Sequence, residues 1–170
     1  MSVKYQCTHC DFTQRVRQEA RVYEKEEPKC LRPICWLAWC HTCKKVVDAE
    51  RVPTLRELED HLESVRLEPY AERKLFAYWP PDEEIIVTQR YIEWRKNRVA
   101  PSRCFECGGH DVLFSTASYG DLPCPQCSGG MEAHITLIGG SFTRFAAAVY
   151  SLEGELITPG NAPEEWLMEF

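Results

Sequence analysis

The sequence predicts an α+β protein in which two small β lobes are joined by a helical middle segment. Three observations carry that expectation. Four Cys-x-x-Cys pairs, Cys7/Cys10, Cys40/Cys43, Cys104/Cys107 and Cys124/Cys127, lie two toward each end of the chain. Short alternating apolar and polar runs sit beside them, as in Val3-Lys4-Tyr5-Gln6, where a period of two marks a half-buried strand. Between the two groups, Leu55, Leu58, Leu62 and Val65 recur at helical spacing while Arg56, Glu59, Asp60, Glu63 and Arg66 take the other face.

Ten cysteines in 170 residues call for either disulfides or metal. The spacing selects metal, because two cysteines three apart present both sulfurs to one ion from a single tight turn, and two such turns complete a tetrahedral shell. Zinc suits a closed four-thiolate shell, and iron in the same geometry is its rival. Grouped by proximity, Cys7, Cys10, Cys40 and Cys43 form one site and Cys104, Cys107, Cys124 and Cys127 the other, so two zinc ions are expected. The chain then divides into an N-terminal lobe with a long insert (1–53), a helical connector (54–99), a C-terminal lobe with extra strands (100–158) and a surface tail (159–170). No charged stretch followed by an apolar run opens the chain, and no run approaches the roughly 18 apolar residues of a membrane span. A cytoplasmic protein is expected.

In chain order, the first strand runs into the Cys7–Cys10 turn and Phe12 to Val16 return from it. The 29 residues between Cys10 and Cys40 make a long loop, tolerable because each doubling of loop length costs only about 0.6 kcal/mol. Within it, Cys30 and Cys35 read as small buried hydrophobes beneath an aromatic loop; the alternatives are a substitute metal ligand or a reactive pair near Lys29 and Arg32. His9 and His41, in the middle of their turns, point away from the ion. Lys44 to Val47 leave the second turn as a strand. Thr54 and Glu57 form a capping box that starts the helix, whose apolar stripe is expected to meet Ala71, Leu75, Phe76 and Trp79. His61 falls on that helix's polar side. Asp82 is expected to cap a further helix through Ile85, Ile86, Ile92 and Arg95. Gly108-Gly109 and Gly129-Gly130 follow two of the cysteine turns, where a positive φ is needed. Asp111 to Ser115 is expected to return near Tyr119 to Leu122. Ala133 to Ile138 adds a strand, Phe142 to Tyr150 fits either helix or strand, and Glu153-Gly154-Glu155 is a turn before Leu156-Ile157.

The net charge of −6 is unevenly spread. Residues 1–53 carry +3, 54–84 carry −5, 85–103 carry +4, and 104–170 hold nine acids against Arg144 alone. Each four-thiolate site filled with a divalent ion adds about −2. A strongly anionic C-terminal half suits a basic partner rather than a phosphate backbone. Two stretches, 44–51 and 90–103, have the opposite composition. Trp36 and Trp39 near Lys44, Lys45 and Arg51, and Trp94 among Arg90, Arg95, Lys96, Arg98 and Arg103, combine rings with cations as surfaces for single-stranded nucleic acid do. The same residues equally pack a thin core or coat a connector.

The two-turn pattern of Cys104-Phe105-Glu106-Cys107-Gly108-Gly109 with Cys124-Pro125-Gln126-Cys127 resembles the zinc-ribbon or rubredoxin-like class of small metal domains. Tyr5-Gln6-Cys7-Thr8-His9-Cys10 with Phe12 is also similar to the opening of the small regulatory ribbon proteins of bacteria. These resemblances imply a β scaffold and a structural metal, and name no ligand. The chain has no G-x-x-x-x-G-K-[ST] loop, H-E-x-x-H helix, G-x-S-x-G elbow or dinucleotide fingerprint. The expected function is a non-enzymatic interaction or adaptor protein with two structural metal sites, partnered by another protein. RNA or single-stranded DNA binding through the two basic stretches is the alternative, and thiol or iron redox chemistry a third.

Overall fold

The N-terminal hairpin finds its partner in the last third of the chain. In the structure, a computed structural model that describes residues 2–17, 21–24, 31–67, 80–115, 122–136 and 147–159, β1 (Ser2–Cys7) and β2 (Thr13–Arg17) flank the first cysteine turn. β8 (Met131–Thr136) pairs antiparallel on the other side of β1, with Val3 opposite Ile135 and Tyr5 opposite Ala133. A second hairpin, β4 (Cys35–Cys40) and β5 (Lys45–Glu50), flanks the second turn. β6 (Arg103–Cys104) lies beside β5 and β7 (Val112–Phe114) beside β4, giving a four-stranded sheet in the order β6-β5-β4-β7. In a third sheet β3 (Arg21–Tyr23) runs parallel to β9 (Ala148–Tyr150), whose other side holds β10 (Leu156–Thr158) antiparallel. The chain is thus α+β, with two cysteine-rich lobes and a helical segment between the second and third cysteine turns.

Alternation along β4 explains how these sheets stack. Leu37 and Trp39 face one way and join Val46 against Val3, Tyr5, Val16, Leu122 and Met131 of the first sheet and its surroundings. Ala38 and Cys40 face the other way, with Val47, Ala49, Val112 and Phe114. Gln14 ties the two sheets together: its side-chain amide accepts from the Val46 amide at 3.1 Å and donates to the Val46 carbonyl, taking the place of a neighbouring strand.

The helices α1 (Leu55–Leu67) and α2 (Pro81–Asn97) pack on each other and on the remaining aromatic face, where Leu58, Tyr91, Ile92 and Trp94 meet Tyr23 and Tyr150. The capping box forms as the sequence predicts: the Glu57 amide donates to Thr54 Oγ1 at 3.1 Å, and Glu57 Oε2 accepts from the Thr54 amide at 2.8 Å. α2 differs at its start. Pro80 occupies the N-cap and Pro81 the first turn, where a missing N–H costs nothing, so Asp82 lies inside the helix rather than capping it.

Several other expectations change. Residues 35–40, taken as an aromatic loop, are a strand, because their alternation is hidden by apolar side chains on both faces of a buried sheet. The return strand β7 pairs with β4 rather than with the chain near Leu122. His61 turns inward and meets Glu84 at 2.9 Å, both buried at the helix interface. Residues 148–150 are strand, and Gly154 turns with a φ of +80° before β10. The expected second face of Ala71, Leu75, Phe76 and Trp79, together with Cys30, Tyr119 to Asp121, Leu137, Ile138, Phe142 to Ala146 and the tail from Gly160, lies outside the described residues.

Candidate metal centres

Each cysteine turn is built by the same backbone bonds. The Lys44 amide donates to the Cys40 carbonyl at 2.8 Å, Gly108 to Cys104 at 2.9 Å and Ser128 to Cys124 at 2.8 Å. In these three turns the residue after the second cysteine takes a positive φ: Lys44 at 53°, Gly108 at 71° and Ser128 at 58°. Glycine fills the position once; elsewhere a lysine and a serine accept the strain that closes the turn. Amides then converge on sulfur. His9 donates to Cys7 Sγ at 3.3 Å, Cys43 to Cys40 Sγ at 3.4 Å, Glu106 to Cys104 Sγ at 3.4 Å and Gln126 to Cys124 Sγ at 3.4 Å. Such donors favour thiolate and fix the direction of its remaining lone pairs.

The turns pair in a nested order, which corrects the grouping by proximity. Cys7 and Cys10 meet Cys124 and Cys127, while Cys40 and Cys43 meet Cys104 and Cys107. Across the outer centre, Cys7 Sγ lies 3.5 Å from Cys127 Sγ and Cys10 Sγ 3.6 Å from Cys124 Sγ. Across the inner one, the distances are 3.7 Å for Cys40 to Cys107 and 3.8 Å for Cys43 to Cys104. Four sulfurs around a zinc ion with bonds of about 2.3 Å stand about 3.8 Å apart along each tetrahedral edge, so both donor sets fit such an ion without rearrangement. Strand pairing is the reason for the order. β8 joins β1 and brings the fourth turn to the first, while β6 and β7 flank the second hairpin and bring the third turn to the second.

The turns also interlock directly. In the outer centre the Thr8 amide and Oγ1 both donate to the Gly130 carbonyl at 3.1 Å, and the His9 ring lies over Gly129, where a Cβ would come within 2.7 Å of Nδ1. In the inner centre the His41 amide donates to the Asp111 carbonyl at 3.0 Å, and Gly109 abuts Thr42 Oγ1. His9 and His41 are exposed, as expected of residues at mid-turn, and neither belongs to a ligand cluster.

The electrostatics of the donor sets call for a cation. The His9 amide draws Cys7 down to about 6, and the Gly109 amide lowers Cys107. Their neighbours move the other way. Burial pushes Cys104 up to about 11 and Cys43 higher, and Cys10, in spite of the Phe12 amide, is pushed up to about 12 by burial and the surrounding thiols. One thiolate per cluster forms readily, and the rest ionise only when positive charge arrives.

The other candidate residues are dispersed. Cys35 is not in either cluster; its thiol donates to the Pro33 carbonyl at 3.4 Å and is pushed up to about 12 by burial. Trp36 lies under the Arg51 guanidinium at 4.9 Å, and Trp39 packs on the first core. Lys44 is exposed and Lys45 pairs with Glu106 at 2.6 Å. Lys96 pairs with Glu93 at 2.6 Å on the surface, and Arg90 is half-buried. Arg95 donates to the Pro53 and Arg98 carbonyls, and Trp94 Nε1 to the Leu152 carbonyl at 3.0 Å.

Arg98 is wholly internal. Its guanidinium grips both oxygens of Glu50 at 2.7 and 2.6 Å, donates to the Leu152 carbonyl, and stacks on Trp94 at 4.9 Å. Arg103 is also buried, against Glu155 at 4.0 Å. A second internal pair, Arg21 with Asp48, sits beneath Phe105 of the third turn, 4.1 Å from the ring centre. These pairs went unseen in the sequence. Their only signal there is the acids Asp48 and Glu50 within an otherwise apolar strand, at positions where a buried charge demands a partner.

Fold and site together define a protein built around two paired-turn, four-cysteine centres that could each hold a metal ion. No protein-family model, curated protein or solved structure matches the chain. Among the described residues no helix is long and apolar enough to cross a membrane.

Proposed function

We propose that the protein is a zinc-stapled, non-enzymatic interaction module whose two ions are structural. The observation that carries this reading is the convergence of eight thiols into two saturated sets, with sulfur separations that match tetrahedral zinc. A fourth thiolate in each set leaves zinc no open position at which to polarise a substrate or activate water. The partner we favour is a protein with a basic surface. Exposed Glu59, Asp60, Glu63, Asp82, Glu83 and Glu93 on the helices add to an overall charge of −6, which two filled centres bring to about −10. The inward turn of Arg98 and Arg103 takes two cations from the stretch that would have met nucleic acid.

Native mass spectrometry of the zinc-replete protein tests the metal assignment and the pairing together. Two zinc ions are expected. The variant C7S/C10S/C124S/C127S should keep one ion, whereas C7S/C10S/C40S/C43S should keep none, because it breaks both centres. One ion retained by the second variant and none by the first would restore pairing by sequence proximity. Iron in place of zinc would refute the metal assigned here.

A further inference from the structure

We infer that the two centres load in a fixed order, the inner one first, and that the outer one is a clasp whose closure depends on zinc supply. This rests on the structural-zinc reading above and extends it to a response. The asymmetry lies in what each centre needs in place before its sulfurs can meet.

The inner centre is self-sufficient among the described residues. Cys40 and Cys104 pack with Ala38, Val47 and Ala49 and are flanked by Val112 and Phe114, all from the second hairpin and the segment carrying the third turn. The outer centre borrows. Cys7 and Cys124 belong to a core that includes Leu37 and Val46, and Gln14 completes its bonds on the Val46 backbone. Those groups are aligned only once the second hairpin has formed. The dependence therefore runs one way.

Chain connectivity points in the same direction. Cys43 and Cys104 are 61 residues apart, and Cys10 and Cys124 are 114 apart. With the inner centre closed, the open path around the outer one shortens to the 30 residues from Cys10 to Cys40 and the 17 from Cys107 to Cys124. Loop closure weighted by the three-halves power of length then favours the outer centre by about fourfold over its closure in a chain without the inner one. The apolar and hydrogen-bonded surface supplied by Leu37 and Val46 adds to that factor. At limiting zinc the protein holds one ion, keeps its four-stranded sheet, and releases the seam between β1 and β8.

The experiment is a zinc titration of reduced apo-protein followed by pulse alkylation and mass mapping. The one-zinc species should protect Cys40, Cys43, Cys104 and Cys107 while Cys7, Cys10, Cys124 and Cys127 are alkylated, and amide exchange should be fast in β1 and β8. In variants, C40S/C43S should weaken zinc at the outer centre by about fourfold or more, whereas C7S/C10S should leave the inner affinity within about twofold. Protection of the outer cysteines first, or equal protection of both sets, would overturn the order while leaving two structural zinc ions standing. Failure of either cluster to take zinc would remove the structural-zinc reading, and the order with it.

Discussion

Replacing Arg98 by methionine should destabilise the protein more than any other change to the basic stretch that contains it. The side chain is 1% exposed and its partner Glu50 0% exposed, and two nearly parallel hydrogen bonds join them. Methionine keeps much of the volume but leaves a carboxylate buried with only the Tyr23 hydroxyl to donate to it. Breaking a buried pair in this way costs about 3–5 kcal/mol. Loss of the guanidinium from the Trp94 face adds about 0.5–2 kcal/mol. For a chain of this size each kcal/mol lowers the melting temperature by about 2–4 °C, so a fall of roughly 6–20 °C follows from the pair alone. The assay is urea unfolding at saturating zinc, with Lys96→Ala as the control; Lys96 sits two residues away on the surface and should cost under about 0.5 kcal/mol. The double variant Glu50→Gln/Arg98→Met should recover part of the loss, because no lone charge remains. An Arg98→Met protein within about 1 kcal/mol of wild type, or strictly additive effects of the two changes, would refute the argument.

Gly154→Ala should destabilise through the same cluster, since its Cβ would lie 2.6 Å from Glu50 Oε2 and 2.7 Å from Arg98 Nη2 at a φ of +80°; thermal melts should show a loss of about 1–3 kcal/mol. Thr54→Ala removes a box that is fully formed and should cost about 1 kcal/mol in urea melts. Cys35, at about 12, holds about one thiolate in ten thousand at pH 8, so peptide mapping of zinc-loaded protein after a short exposure to Ellman's reagent should find it unmodified. Because its pKa is raised on folding, its contribution is intact below pH 9 and falls as pH climbs toward 12; the stability gap between wild type and Cys35→Ala should narrow across that window, as read by urea melts. Gly129→Ala should lower the outer centre's zinc affinity in competition titrations by pressing on the His9 ring, and His9→Ala should relieve most of that loss.

What the sequence made legible was local. The cysteine turns, the Thr54 capping box and the α1 stripe are each specified within a few neighbouring residues, and each forms as read. The partner of each turn is not local, because every Cys-x-x-Cys pair offers the same half-shell and nothing in its spacing says which other half it will meet. That choice is made by strands, and two of those strands were hard to see. Cys35–Cys40 is apolar on both faces and so lacks a period of two, and β8 pairs across more than a hundred residues with β1. Arg98 misled for a related reason. A run of arginines and a lysine around Trp94 has the composition of a ligand surface, and only the position of Glu50 in a neighbouring sheet turns one of those cations inward.

The buried charges and the nested centres solve one structural problem between them. Small residues such as Ala38 and Ala49 line one face of the central sheet, so apolar burial there is modest, and a thin core rarely holds a sheet and two helices together unaided. Metal fixes the ends of the hairpins, where backbone turns leave little surface to bury. Ion pairs fix the sheet to what lies over it: Glu50 to the end of α2 through Arg98, and Asp48 to β3 through Arg21. Because Asp48 and Glu50 sit on β5, the same strand that leads away from Cys43, the inner centre and both pairs share one element. Removing the inner ion should therefore loosen the helices as well as the turns, whereas removing the outer ion leaves β5 anchored. Amide exchange in α2 after inner-site disruption distinguishes this from two independent lobes: protection at Trp94 to Asn97 should fall in C40S/C43S and persist in C7S/C10S, and equal protection in both would mean that β5 does not carry the coupling.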